Sequence, residues 1–156
     1  MALAKGAAAP DFTLKGTPEQ PVTLSSHKGK ENVVLLFYPF AFSPVCTEEM
    51  CGVRDQWAEF GKLAAKVYGI SVDSVWSQKA FKATNNIPFD LLADFNKDTA
   101  KKYDALHEKL GDWIGVAKRS VFVIGKDGKI AFSWSSDDPK QKPDLETLKN
   151  VVRELK

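Results

Sequence analysis

Two cysteines, Cys46 and Cys51, lie five residues apart in the stretch Phe40-Ala-Phe-Ser-Pro-Val-Cys46-Thr-Glu-Glu-Met-Cys51-Gly-Val-Arg54-Asp55. Thiols serve as nucleophiles, redox centres or metal ligands, and in each role the thiolate is the working form. From Cys46 onward, Met50, Val53, Trp57, Phe60 and Ala64 follow at steps of four and three, the apolar stripe of one amphipathic helix. Pro44 suits the first turn of that helix, and Ser43 before it suits an N-cap. Cys46 is therefore expected among unpaired N–H groups at the positive end of the helix dipole, where the thiolate is favoured. The competing reading is a small core residue. Cys51 falls about 140° around the helix from Cys46, off the stripe. Two core cysteines would more naturally share a face.

Metal chemistry has little support. Zinc sites generally need three or four ligands, and only His27 and His107, both distant in sequence, could join the cysteines. His107-Glu108-Lys109-Leu110-Gly111 has no second histidine four residues on, so it is no zinc-protease helix. Both histidines are expected at the surface. The absence of Cys-x-x-Cys argues against a general disulfide oxidoreductase of thioredoxin type.

The elements that must position these residues fit one domain spanning 1–156. A net charge of +2 without a basic block gives no footprint for nucleic acid. The strongest apolar run, Val33 to Tyr38, is six residues long, far short of a membrane span. Lys5 and Gly6 interrupt any apolar leader, so a cytoplasmic location is expected, where paired cysteines are redox-active rather than structural.

Phe12-Thr-Leu14 and Val22-Thr-Leu24, split by Gly16 and Pro18, read as a strand pair. Val33–Tyr38 and Val67–Ser71 read as strands buried on both faces. Helices are expected over Ser77–Thr84 and near Asp98–Tyr103, with Pro88–Leu92 leading into the latter. Asp127-Gly128 between Ser120–Ile124 and Lys129–Trp134 signals a hairpin. Pro143 and Asp144 open a last helix with Leu145, Leu148, Val151, Val152 and Leu155 on one face. The order implies an α/β fold with a mixed sheet flanked by helices.

Pro39-x-x-x-Ser43-x-x-Cys46 resembles the signature Pro-x-x-x-Thr/Ser-x-x-Cys of the peroxiredoxins. A second cysteine at plus five is similar to the Q-type, or bacterioferritin-comigratory, members. Glu49 and Gly69-Ile-Ser-Val-Asp-Ser-Val-Trp76 look more like the alkyl hydroperoxide reductase E type. Ala9-Pro-Asp-Phe12 and Lys118-Arg119-Ser-Val-Phe-Val123 extend the likeness over nearly the whole chain.

The resemblance implies a thioredoxin-like fold and peroxide reduction without a cofactor or metal. Cys46 would attack the peroxide and become a sulfenic acid, and Cys51 would resolve it as an intramolecular disulfide. Pro39 would pack over the sulfur, Ser43 would bond the peroxide through its hydroxyl, and Arg119 would stabilise the thiolate and the developing charge. Glu49 is left between contacting substrate or Arg119 and a solvated helix position, and Arg54-Asp55 is expected as a structural pair. Hydrogen peroxide and organic hydroperoxides are the implied substrates, with a thioredoxin or glutaredoxin-like reductant as partner. Phe40, Phe42 and Trp113 are candidates for an apolar approach. Monomer and a homodimer joined near Phe42 and Trp76 both remain open. A peroxide sensor or chaperone-like protein acting through a partner is the alternative, needing the cysteines without Pro39, Ser43 and Arg119.

Overall fold

A computed structural model of the chain describes residues 3–155. Five strands form the central sheet in the order β5-β4-β3-β8-β9: Asp90–Ala93, Ala65–Ser71, Asn32–Phe37, Arg119–Ile124 and Ile130–Ser136. The β3–β4 and β4–β5 pairs are parallel, whereas β3–β8 and β8–β9 are antiparallel. Asp127 and Gly128, the latter at φ +79°, turn the β8–β9 hairpin as expected from Asp-Gly. The N-terminal pair, β1 (Thr13–Leu14) and β2 (Val22–Thr23), is also present and antiparallel.

Strand alternation divides the core into two layers. Val34 and Leu36 of β3, with Val121 and Val123 of β8, face a cluster that takes in Cys46, Met50, Val53, Phe81, Leu148 and Val152. Those side chains come from α1 (Pro44–Asp55), α3 (Val75–Asn85) and α5 (Leu145–Glu154). Val33, Leu35 and Phe37 face the other way, onto Phe12, Leu24, Ala100 and Tyr103. Ala100 belongs to α4 (Asp98–Lys102). A mixed sheet with helices on both faces is the arrangement that the order of elements implies, and it is the thioredoxin-like α/β fold that the resemblance implies.

Three expectations need correction. The stripe from Cys46 to Ala64 is not one helix: α1 ends at Asp55, and α2 (Trp57–Gly61) follows after Gln56, with Ala64 beyond it at φ +52°. The break turns Phe60 into the same core layer as Val53. Residues 106–117, in which no strands are expected, form a hairpin of β6 (Leu106–Leu110) and β7 (Trp113–Ala117). His107 on β6 is consequently buried, at 7% exposure, and His27 bonds Glu31 at 2.6 Å and Tyr68 Oη at 2.9 Å. Neither is an ordinary surface residue.

Candidate active site

Sheet register brings the site together. Phe37, the last residue of β3, pairs with Ser120, so antiparallel β8 begins beside the point where β3 ends. Arg119, first in β8, thereby meets the chain leaving β3 at Pro39. That chain turns sharply before α1. Ala41 N–H donates to Asp73 Oδ2 at 2.8 Å, Asp73 accepts from Ser71 Oγ at 2.6 Å, and Phe42 adopts a left-handed φ of +69°. Left-handed backbone at a large non-glycine residue is held by its surroundings, here by the Asp73 anchor and by Phe42 packing on Phe81 at 5.1 Å between ring centroids.

Pro44 opens α1 and Cys46 lies in its first turn, as expected. Ser43 sits at the N-cap position, but its hydroxyl does not cap. It donates to Phe40 O at 2.9 Å, while Ser43 O accepts from Thr47 N at 2.9 Å and from Thr47 Oγ1 at 2.8 Å. The Ser43 proton is thus committed, and its oxygen keeps lone pairs for another donor.

Arg119 has every guanidinium nitrogen engaged. Nη2 donates to Cys46 Sγ at 3.0 Å and to Pro139 O at 2.9 Å, Nε donates to Pro139 O at 3.1 Å, and Nη1 donates to Glu49 Oε2 at 2.5 Å. The Arg119 and Glu49 side chains are each 1% exposed. Glu49 is therefore neither solvated nor aimed into the pocket: it lies behind the arginine. Burial pushes its carboxyl up to about 7, against the pull of the Arg119 charge and hydrogen bond and of Lys142. The other oxygen, Oε1, has no hydrogen-bond partner.

Cys46 lines a pocket of about 340 Å³ with Pro39, Phe40, Ser43, Trp113 and Arg119. Its walls are otherwise apolar apart from Lys140, and the β6–β7 hairpin supplies Leu110, Gly111 and Trp113. Phe40 meets Trp113 edge-on at 5.2 Å, whereas Phe42 does not line the pocket. Pro39, Ser43, Cys46 and Arg119 thus converge on one cavity. Cys51 does not: its Sγ points to Asn85 Oδ1 at 3.7 Å on α3, and both thiols are free. Arg54 pairs with Asp55 at 3.0 Å, the structural role expected of it.

Three parts of the site escape a sequence reading. The Pro139 carbonyl that clamps Arg119 is backbone and carries no residue signature. Asp73 anchors a main-chain N–H, which needs the fold to be seen. The β6–β7 hairpin left one weak signal, the two-residue Gly111-Asp112 loop, with β-branched and aromatic residues only after it, in Trp113–Ala117, and none before it in Leu106–Leu110. Among the described residues no group of three or more His, Cys, Asp or Glu could hold a metal ion, and no helix is long and apolar enough to cross a membrane.

A sulfur that lines an apolar cavity and accepts from a guanidinium is suited to nucleophilic thiol chemistry on a thioredoxin-like frame. Comparison with known proteins agrees. The AhpC/TSA family model matches residues 5–133. Peroxiredoxin Q, chloroplastic, of Sedum lineare is 38% identical over 152 residues, covering 97% of this chain and 79% of its own. Peroxiredoxin Bcp of Bacillus subtilis is 37% identical over 156 residues, covering 97% and 98%. The crystal structure of peroxidoxin BcpB from Mycobacterium tuberculosis shares 31% identity and a TM-score of 0.84 over 97% of each chain. The chain belongs to the peroxiredoxin family, in its Bcp and peroxiredoxin Q-like, atypical two-cysteine class. It is accordingly an oxidoreductase with thiol peroxidase activity.

Proposed function

We propose that Cys46 is the peroxidatic cysteine, that Cys51 resolves it, and that a thioredoxin-like donor completes the cycle. The observation that carries this reading is the 3.0 Å contact of Arg119 Nη2 with Cys46 Sγ inside the apolar pocket. A peroxide R–O–OH enters that pocket and the Cys46 thiolate attacks its terminal oxygen. The O–O bond breaks, an S–O bond forms, and RO⁻ takes a proton to leave as alcohol, or as water when the substrate is hydrogen peroxide.

Arg119 donates toward the sulfur and the developing charge, and the Pro139 carbonyl holds it in place, so little reorganisation accompanies reaction. Ser43 Oγ, its own proton held by Phe40 O, accepts a hydrogen bond from the peroxide O–H and orients it. The apolar walls favour hydroperoxides with an organic tail while admitting hydrogen peroxide. Cys51 then attacks the Cys46 sulfenic acid, which releases water and forms the disulfide. Two thiols of a thioredoxin or glutaredoxin-like donor take over that disulfide and restore both cysteines.

Rapid-quench alkylation with mass spectrometry tests the sequence of steps. The wild-type protein should pass through a Cys46 sulfenic acid to a Cys46–Cys51 disulfide, and Cys46→Ser should form neither. A stopped-flow rate of Cys46 oxidation no faster than that of a free thiol would favour a sensor acting through a partner instead.

A further inference from the structure

Asn85, the last residue of α3, joins that helix to α1 through two contacts of unequal strength. Its Nδ2 donates to Phe81 O at 3.2 Å, which fixes the amide and leaves Oδ1 as acceptor for Cys51 Sγ at 3.7 Å. Its main-chain carbonyl, at a helix end without an intrahelical donor, accepts from Arg54 Nη1 at 2.6 Å. A thiol is a weak donor and this bond is long, whereas the Arg54 bond is short and charge-assisted. Cys51 and Arg54 are three apart on α1, so the weak contact lies almost one turn ahead of the strong one.

We propose that Asn85 is the positioning residue of the resolving step. Its side chain is a weak latch that holds Cys51 in the helix until Cys46 is oxidised. Its carbonyl, through Arg54, is the fixed hinge at which opening of α1 stops. This rests on the reading of Cys51 as the resolving cysteine. Release then requires loss of the S–H···O contact, while Arg54 and the buried Val53 stay docked. Cys51 swings toward Cys46 from an anchor three residues away, which keeps its search short.

Asn85→Ala removes the latch and keeps the carbonyl. Rapid-quench kinetics should show Cys46 oxidation at the wild-type rate and disulfide closure about two- to tenfold faster, the worth of one modest hydrogen bond. In the reduced protein, amide exchange over residues 47–52 should rise by the same factor. Cys51→Ala, which leaves α3 intact, should give the same rise. The double variant Cys51→Ala/Asn85→Ala should exchange no faster than Cys51→Ala alone, because the latch is already gone. Arg54→Gln should extend loss of protection in the disulfide form beyond Val53.

Closure in Asn85→Ala at or below the wild-type rate overturns the proposal, as do additive effects in the double variant, which would make Asn85 a helix cap only. If Cys51→Ser resolves its sulfenic acid as fast as wild type, the assignment of Cys51 fails instead of the latch.

Discussion

Arg119 holds Cys46 Sγ with Nη2 at 3.0 Å and Glu49 Oε2 with Nη1 at 2.5 Å, so one buried cation serves two groups able to carry negative charge. The two acceptors are three residues apart on the inward face of α1, which is why a single side chain reaches both. Burying two anions against one cation is costly. The Glu49 carboxyl relieves part of that cost by holding its proton up to about pH 7.

This raised value has a signed consequence for stability. In the unfolded chain the Glu49 carboxyl titrates near 4.5, and in the fold near 7, so between those values the folded state binds more protons. The stabilisation is complete below about pH 4.5 and is lost as pH rises through about 7, a difference of about 3 kcal/mol. Denaturant unfolding at pH 5 and pH 8 should show this loss in the wild type relative to Glu49→Gln, whose neutral amide does not titrate. Identical pH dependence in the two proteins would mean that Glu49 ionises in the fold as it does in water.

Arg119→Ala should slow Cys46 oxidation by about ten- to a thousandfold, the usual consequence of losing a transition-state donor. From sequence alone such a variant is expected to keep its stability. The 1% exposure of both partners changes that expectation, because the variant leaves Glu49 buried without a counter-ion. The protein should be destabilised at pH 8, and less so at pH 5, where Glu49 is protonated. Unfolding curves at the two pH values, alongside stopped-flow oxidation rates, separate the two effects. Wild-type oxidation kinetics in a variant that unfolds more easily would make Arg119 purely structural.

Much of this was legible in the residues. Pro39, Ser43, Cys46 and Arg119 are named by motif and meet in one pocket. The strands of Val33–Tyr38, Val67–Ser71 and Ser120–Ile124 announce themselves as apolar runs because both their faces are covered. The β6–β7 hairpin did not, since Trp113 and Ile114 turn outward and no inward apolar alternation marks the pair. Glu49 is left in sequence between a contact with substrate or Arg119 and a solvated helix position, and the fold decides for Arg119. Lys149 is comparable: it is buried within α5, where Gln56 at 2.7 Å, Glu59 at 2.9 Å and Glu146 at 2.6 Å hold its ammonium. Burial of a charge is a property of partners from elsewhere in the chain, and local patterns do not carry it.

The outward side chain of that hairpin has a use. Trp113 is 59% exposed, meets Phe40 edge-on and forms part of the pocket wall. An organic hydroperoxide should cover some of its apolar surface on binding, worth roughly 1–2 kcal/mol. Trp113→Ala should therefore raise KM for cumene hydroperoxide about five- to thirtyfold and leave the reaction with hydrogen peroxide near its wild-type rate. Equal losses for both peroxides would show that Trp113 shapes the site rather than contacting the tail.

A single helix carries both cysteines. α1 runs from Pro44 to Asp55 through Cys46 and Cys51, and both thiols are free. In a regular helix Cα atoms five residues apart are roughly 8.6 Å from one another, whereas a disulfide needs them within about 6.8 Å. The two sulfurs also face different surroundings, Cys46 toward Arg119 and Cys51 toward Asn85. The bond therefore requires the segment from about Ser43 to Gly52 to unwind in each cycle. Met50 lies in that segment and is buried in the core, so its exposure opposes opening by about 1.5–3 kcal/mol. Gly52, a poor helix former, lowers the opposition. Amide exchange should show residues 47–52 protected in the reduced protein and unprotected in the disulfide form, with protection restored by a dithiol. Cys51→Ser should oxidise as fast as wild type, lose turnover driven by thioredoxin and accumulate Cys46 sulfinic acid under repeated peroxide, because nothing intercepts the sulfenic acid. An oxidised protein whose α1 stays regular through Cys46 and Cys51, with their sulfurs unbonded, would rule this cycle out.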